Sequence, residues 1–142
     1  MDKRVLVPVD RSGQAHDACR LACELFPEST LVFLHVINPA EAGFSSEATI
    51  PSFPEGWYEQ EKATVESLFD DLEARAYTHG LEVERIVELG QPTRTIIDCV
   101  RDREIDHIVM GSTGRQGVTR IVLGSVAESV VRRSPVPVTV AR

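Results

Sequence analysis

The chain has 142 residues, 42% of them hydrophobic, and a formal net charge of −7. That length suits one domain that buries about 68–70% of its unfolded surface and needs no disulfide or metal staple. The acidic balance speaks against a general nucleic-acid binder or a membrane-surface binder.

The first apolar run, residues 4–9, is too short for a signal-peptide core or a membrane span and reads as a strand. In residues 14–26, Ala15, Ala18, Cys19, Ala22 and Phe26 fall on one helical face. His16, Cys19 and Cys23 also share a face, which leaves two readings: a metal site, or small thiols filling the core. With Cys99 the cysteine count is odd and without disulfide-like spacing, so a reduced, cytoplasmic protein is expected. Residues 30–36 form the second predicted strand. Residues 38–56, with Pro39, Gly43, Pro51, Pro54 and Gly56, are predicted as a long flexible loop. Such a length in a compact domain fits a flap over a ligand or a plain mobile insertion.

Residues 57–79 put Val65, Leu68, Phe69, Leu72 and Ala76 on one helical face, and Gly80 follows as a C′ residue. Residues 82–88 carry Glu82, Glu84, Arg85 and Glu88 and read as an edge strand. Pro92 opens a helix that runs to about residue 101. A strand over 105–110, a helix over 125–133 and a strand over 136–140 complete the chain, with Pro135 and Pro137 stopping that helix and starting the last strand.

This alternation predicts an α/β domain over residues 1–142, a single Rossmann-like open sheet of five mainly parallel strands with helices on both faces. In such sheets ligands bind beyond the strand C-termini, where the strand order reverses. The segments after Val9, Val36 and Met110 are therefore the first candidates for a site.

The strongest local signal is Gly111-Ser112-Thr113-Gly114 followed, after nine residues, by Gly124-Ser125 at a helix start. Neither a P-loop nor a G-x-G-x-x-G after the first strand is present. Glycines let backbone N–H groups approach a ligand, and a helix start adds unpaired donors and partial positive charge. Together they read as a phosphate cradle. Residues 111–133 contain Arg115, Arg120, Arg132 and Arg133 against Glu128 alone, a bias that suits phosphate.

Each residue also has a plainer reading. Gly111 and Gly114 fit a tight strand-to-helix turn. Ser125 with Glu128 fits a capping box. Asp10 fits a cap for the first helix. Arg115 and Arg120 fit solvated loop charges. His35 and His107 read as packed strand residues. No Ser-His-Asp or Cys-His order and no paired carboxylates point to hydrolysis.

The glycine motif stands among further matching pieces: Val5-Leu6-Val7-Pro8-Val9-Asp10, Leu34-His35-Val36, Gly90-Gln91-Pro92, Asp106 to Ser112, Gly124-Ser125-Val126-Ala127 and Pro135-Val136-Pro137-Val138. In this order and spacing the chain resembles the universal stress proteins, specifically their ATP-binding subgroup, over nearly its whole length. The resemblance implies an adenine nucleotide α-hydrolase-like fold and a stress regulator that binds ATP with Mg²⁺ and hydrolyses it slowly at most. It implies that Pro8, Val9 and Asp10 lie against the nucleoside, that the Val36 backbone reads adenine, and that Met110 and Gly111 line the site. Ser112, Gly114, Gly124, Ser125 and Val126 would surround ribose and phosphates, with Arg115, Gln116 and Gly117 closing over them. It also implies a homodimer through residues 136–140, Val136 and Val140 included, and a regulatory protein partner. Two other classes stay open beside it: a true ATPase or adenylate-handling enzyme, and a dimeric interaction module with ATP as a structural ligand.

Overall fold

The computed structural model describes residues 3–10, 13–42, 55–112 and 123–142. The elements alternate as predicted: β1 (Arg4–Pro8), α1 (Gln14–Leu25), β2 (Thr30–Ile37), α2 (Glu55–Thr78), β3 (Glu82–Leu89), α3 (Pro92–Asp102), β4 (His107–Gly111), α4 (Ser125–Arg133) and β5 (Val138–Ala141). The strands form one sheet in the order β3-β2-β1-β4-β5, and every neighbouring pair is parallel. The order reverses at β1, and the charged β3 lies at an edge.

Strand alternation divides the core into two layers. Val5, Val7, Leu31, Phe33 and Val109 face α1 and α2, where they meet Ala18, Cys19, Phe69 and Leu72. Leu6, Val32, Leu34, Ile108 and Met110 face α3 and α4, where they meet Ile96, Val100, Ala127 and Val130. Cys19 and Cys23 are buried in the first layer and Cys99 in the second, so all three are core residues. Among the described residues, no group of three or more His, Cys, Asp or Glu is disposed to hold a metal. None of the described helices is long and apolar enough to cross a membrane.

Two arginines fasten the sheet to its surroundings. The Arg4 guanidinium reaches across β2 to Glu84 on β3 at 2.5 Å, its Nε donates to Arg103 O, and its backbone N–H donates to Asp106. Arg85 on β3 pairs with Glu66, Asp70 and Glu73 of α2 while lying over the Phe69 ring. Both networks are partly open to solvent, so they fix orientation more than they add stability.

Several boundaries differ from the sequence expectation for local reasons. Val9 falls outside β1. Ile105 is still folded back, its N–H donating to Val100 O after Glu104 takes a positive φ of 54°. β5 starts at Val138 because Ser134 donates to Val136 O and accepts from Val136 N–H, holding that turn off the sheet. The predicted loop over 38–56 contains a 3-10 turn at Pro39–Ala42, and α2 already begins at Glu55. Residues 43–54 lie outside the described set.

His107 Nε2 lies 2.7 Å from Thr139 Oγ1, and the His107 ring rests on Phe26 with centroids 4.5 Å apart. Burial, with a smaller effect from Lys3, lowers its pKa below the ordinary 6.5. A depressed folded pKa means that the unfolded chain takes up the proton first. The stability tied to neutral His107 is therefore present above about pH 6.5 and is lost as pH falls through the folded value. Thermal melts between pH 7 and pH 5 should show a smaller acid-induced drop for His107→Gln than for the unchanged protein; equal drops would refute this linkage.

Candidate functional site

The crevice at the strand-order reversal is built by backbone divergence. β1 and β4 register at only two positions, Val5 with His107 and Leu6 with Ile108. In a parallel ladder a residue turns its N–H and C=O to one neighbour and the next residue to the other. Arg4 O accepts from Asp106 N–H, so the even positions of β1 face β4. Pro8 is such a position and has no N–H to give, so the ladder to β4 cannot continue there. On the other side, Val9 N–H donates to Leu34 O at 2.8 Å, and β1 then ends.

β2 continues past that point. Leu34 faces β1, and Ile37 O accepts from Gly90 N–H after β3. By alternation Val36 turns its N–H and C=O toward the side β1 has left. Val9 is buried and Asp10 exposed. The first residue before α1 is Gly13, which serves as its N-cap without a side-chain bond, so Asp10 does not cap that helix.

Across the gap, β4 ends at Gly111, followed by buried Ser112. Ser112 N–H donates to Ala141 O at 3.0 Å, while Ser112 O accepts from Gly124 N–H at 2.7 Å. That second bond brings the start of α4 against the end of β4. Gly124 is the N-cap and Ser125 the first helical residue, so the expected capping box is not formed. Glu128 pairs with Arg132 instead, at 2.9 Å. Ser125 is exposed, and Val126 packs against the α3–α4 layer.

The structure thus brings Pro8, Val9, Asp10, Val36, Met110, Gly111, Ser112, Gly124, Ser125 and Val126 to one end of the sheet. Gly114, Arg115, Gln116 and Gly117 lie outside the described residues, as does Arg120. Gly111 has a structural reason that sequence reading missed: a Cβ there would lie 2.8 Å from Gln14 Cβ and 2.7 Å from Gln14 Oε1. Gly124 has an extended backbone, φ −66° and ψ 166°, open to any residue, so conformation does not require its glycine. The other missed residue is His35, which is 7% exposed and lies with Nδ1 2.7 Å from Val9 O. Its signal in the sequence was a polar residue at a core-facing position of an otherwise apolar strand.

The universal stress protein family model matches residues 1–142. Universal stress protein MJ0577 of Methanocaldococcus jannaschii is 30% identical over 159 aligned positions, covering 100% of this chain and 96% of the relative. The solved structure of MJ0577 superposes with a TM-score of 0.81 at 25% identity, over 99% of this chain and 96% of that one. Two further structures share the fold. One is a universal stress protein in complex with cAMP (TM-score 0.69, 19% identity, 99% and 97% covered). The other is Arabidopsis thaliana At3g01520 with AMP bound (TM-score 0.67, 20% identity, 98% and 90% covered).

The contact between Gly111 and Gln14 yields a direct test. Gly111→Ala should force α1 away from β4 and cost about 1–3 kcal/mol, the usual range for overpacking. A Gly111→Ala, Gln14→Gly double variant, which removes both Gln14 atoms nearest the new Cβ, should recover most of that loss in denaturant melts when referred to Gln14→Gly alone. No recovery would mean that the glycine serves something other than this contact.

Proposed function

The chain belongs to the universal stress protein family, and from that premise we propose that it is an ATP-binding regulator whose nucleotide sits in the crevice between the ends of β1, β2 and β4. The observation that carries this reading is the bond from Gly124 N–H to Ser112 O, which holds the first turn of α4 beside the end of β4. The N–H groups of Ser125, Val126 and Ala127 have no earlier turn to donate to, and the helix start carries partial positive charge. Phosphate is the natural partner of such a group. Gly124 supports the same reading, since its extended backbone would admit any residue and a bare Cα leaves room for close approach.

In this reading Asp10 bonds the ribose and the Val36 backbone reads the adenine edge. Met110 and Gly111 line the slot. Ser112, Gly124, Ser125 and Val126, with Gly114, Arg115, Gln116 and Gly117 from the intervening segment, surround the phosphates. Mg²⁺ enters with ATP, held chiefly by phosphate and water oxygens. Phosphoryl transfer needs a positioned metal, a base and charge stabilisation together. The candidate set offers one carboxylate, Asp10, so binding with slow hydrolysis at most is proposed. Adenine mononucleotides in two family folds, cAMP in one and AMP in the other, support the base and the ribose more than the number of phosphates. Differential affinity of ATP for two states of the chain would then change a surface that a protein partner reads.

We also propose a homodimer through β5. Pro137 O and Ala141 O accept from β4, so the odd positions of this segment face inward. Val138 and Val140 therefore turn their N–H and C=O to the open edge, which a second copy would cover.

Calorimetric titration with ATP, ADP and AMP in Mg²⁺ tests the first proposal. The unchanged protein should bind ATP with micromolar affinity. Gly124→Val, whose backbone the fold admits, should melt normally and bind at least about tenfold more weakly. Absence of binding to all three nucleotides by the unchanged protein would end the proposal. For the dimer, Val140→Pro removes one outward N–H and leaves the β4 ladder intact. Sedimentation should show it as a monomer where the unchanged chain is a dimer.

A further inference from the structure

Among the described residues, His35 is the one buried polar side chain at the point where β1 and β2 separate. Its imidazole lies on the α1–α2 face, 7% exposed, with Nδ1 2.7 Å from Val9 O. A carbonyl oxygen only accepts, so Nδ1 carries the proton and donates. Ladder alternation makes Val36 N–H the residue that would otherwise reach Val9 O, since Leu34 O already holds Val9 N–H one rung earlier. The side chain has thus taken the place of a backbone rung. Val9 O keeps a partner, β1 turns away from β2 after Pro8, and the Val36 N–H and C=O are released from the sheet.

We propose that His35 is a positioning residue for the base slot: its Nδ1–H tethers the exit of β1 through Val9 O, and thereby holds Asp10 at the rim while leaving the Val36 backbone edge for a planar heterocycle with a donor and an acceptor side by side. This rests on the nucleotide reading of the crevice. His35 touches no nucleotide in this role and acts through Val9 and Val36. An adenine edge, which offers an amino donor next to a ring-nitrogen acceptor, matches one residue's C=O and N–H. A guanine edge presents a carbonyl where adenine has its amino group and would face the Val36 C=O unfavourably.

The test compares three variants of the full chain. His35→Asn keeps an N–H donor at the Nδ1 position, His35→Gln carries the same group one carbon farther, and His35→Leu removes it while filling the space. ATP affinity should fall about tenfold or more in His35→Leu and in His35→Gln, and stay within about threefold of the unchanged protein in His35→Asn. The unchanged protein should also prefer ATP to GTP, and His35→Leu should narrow that preference. A purely structural role would lower the melting temperature of His35→Leu but leave the affinity of the folded fraction and the ATP-to-GTP ratio unchanged, which would overturn the proposal. So would His35→Asn binding as weakly as His35→Leu.

Amide hydrogen exchange at Val9 and Asp10 in nucleotide-free protein separates this idea from the one beneath it. Faster exchange in His35→Leu but not in His35→Asn upholds the tether even if no nucleotide binds, in which case the binding reading has failed. Equal exchange in all variants overturns the tether itself. Should His35→Leu fail to fold, the imidazole tautomer of the unchanged protein decides: long-range ¹H–¹⁵N spectra with the proton on Nδ1 support the tether, and a proton on Nε2 overturns it.

Discussion

The fold depends on where one central strand stops pairing. β1 is flanked on both sides, yet its register with β4 covers two residues and its register with β2 ends at Pro8. A proline in a central strand is normally costly because it withdraws a ladder donor. Here the withdrawn donor faces β4 at the level where the crevice opens. The ladder from β1 to β4 stops short of the proline, and one residue later Val9 O lies against His35 Nδ1 in place of a β2 amide. Gln14 against Gly111 and the start of α4 against Ser112 lie at the same end of the sheet.

The opposite end of the sheet is built in the reverse sense. Arg4 ties β1 to β3 through Glu84 and to the α3–β4 connection through Arg103 O and Asp106. Beneath the cleft the two core layers are continuous from β3 to β4, with Phe33, Leu6 and Ile108 fully buried. The strand ends that diverge beyond Pro8 therefore rise from a base that these contacts hold together. The nucleotide site proposed for these strand ends and one helix start would require such a base, because small shifts of those ends would spoil hydrogen-bond geometry.

Most of this architecture was legible in the chain. Val, Ile and Leu runs without alternation gave the buried parallel strands, and the charges of residues 82–88 gave the β3 edge. Gly111, Gly124 and Ser125 stood out by spacing alone. Legibility failed where a side chain outbid the backbone pattern. Ser125 looked like a cap, but Gly124 occupies that position and Ser125 lies one residue inside the helix. Asp10 looked like a cap for α1, whose N-cap is Gly13. Gly111 was legible as a turn or a ligand contact, but its further constraint was not: Gln14 crowds it from a helix begun almost a hundred residues earlier. His35 was legible as packed, and it is buried; what the chain did not show is its partner, Val9 O. Each of these depends on which atoms meet across the sheet, and local periodicity carries no information on that.

The bond from Arg4 N–H to Asp106 spans 102 positions of sequence. On a ribosome, β1 emerges first and can pair with β2 as soon as about thirty residues are free, but its other flank has no mate until β4 is synthesised. At about 5–20 residues per second the nascent chain spends several seconds with an unpaired strand flank and with the α3–α4 layer still lacking Ile108, Met110, Ala127 and Val130. Contacts of such sequence separation also slow folding in free solution, because the intervening chain must be ordered before they form. Of the strands in this sheet, β1 thus waits through the longest stretch of synthesis for its second neighbour, and the half-built sheet exposes apolar surface for that time.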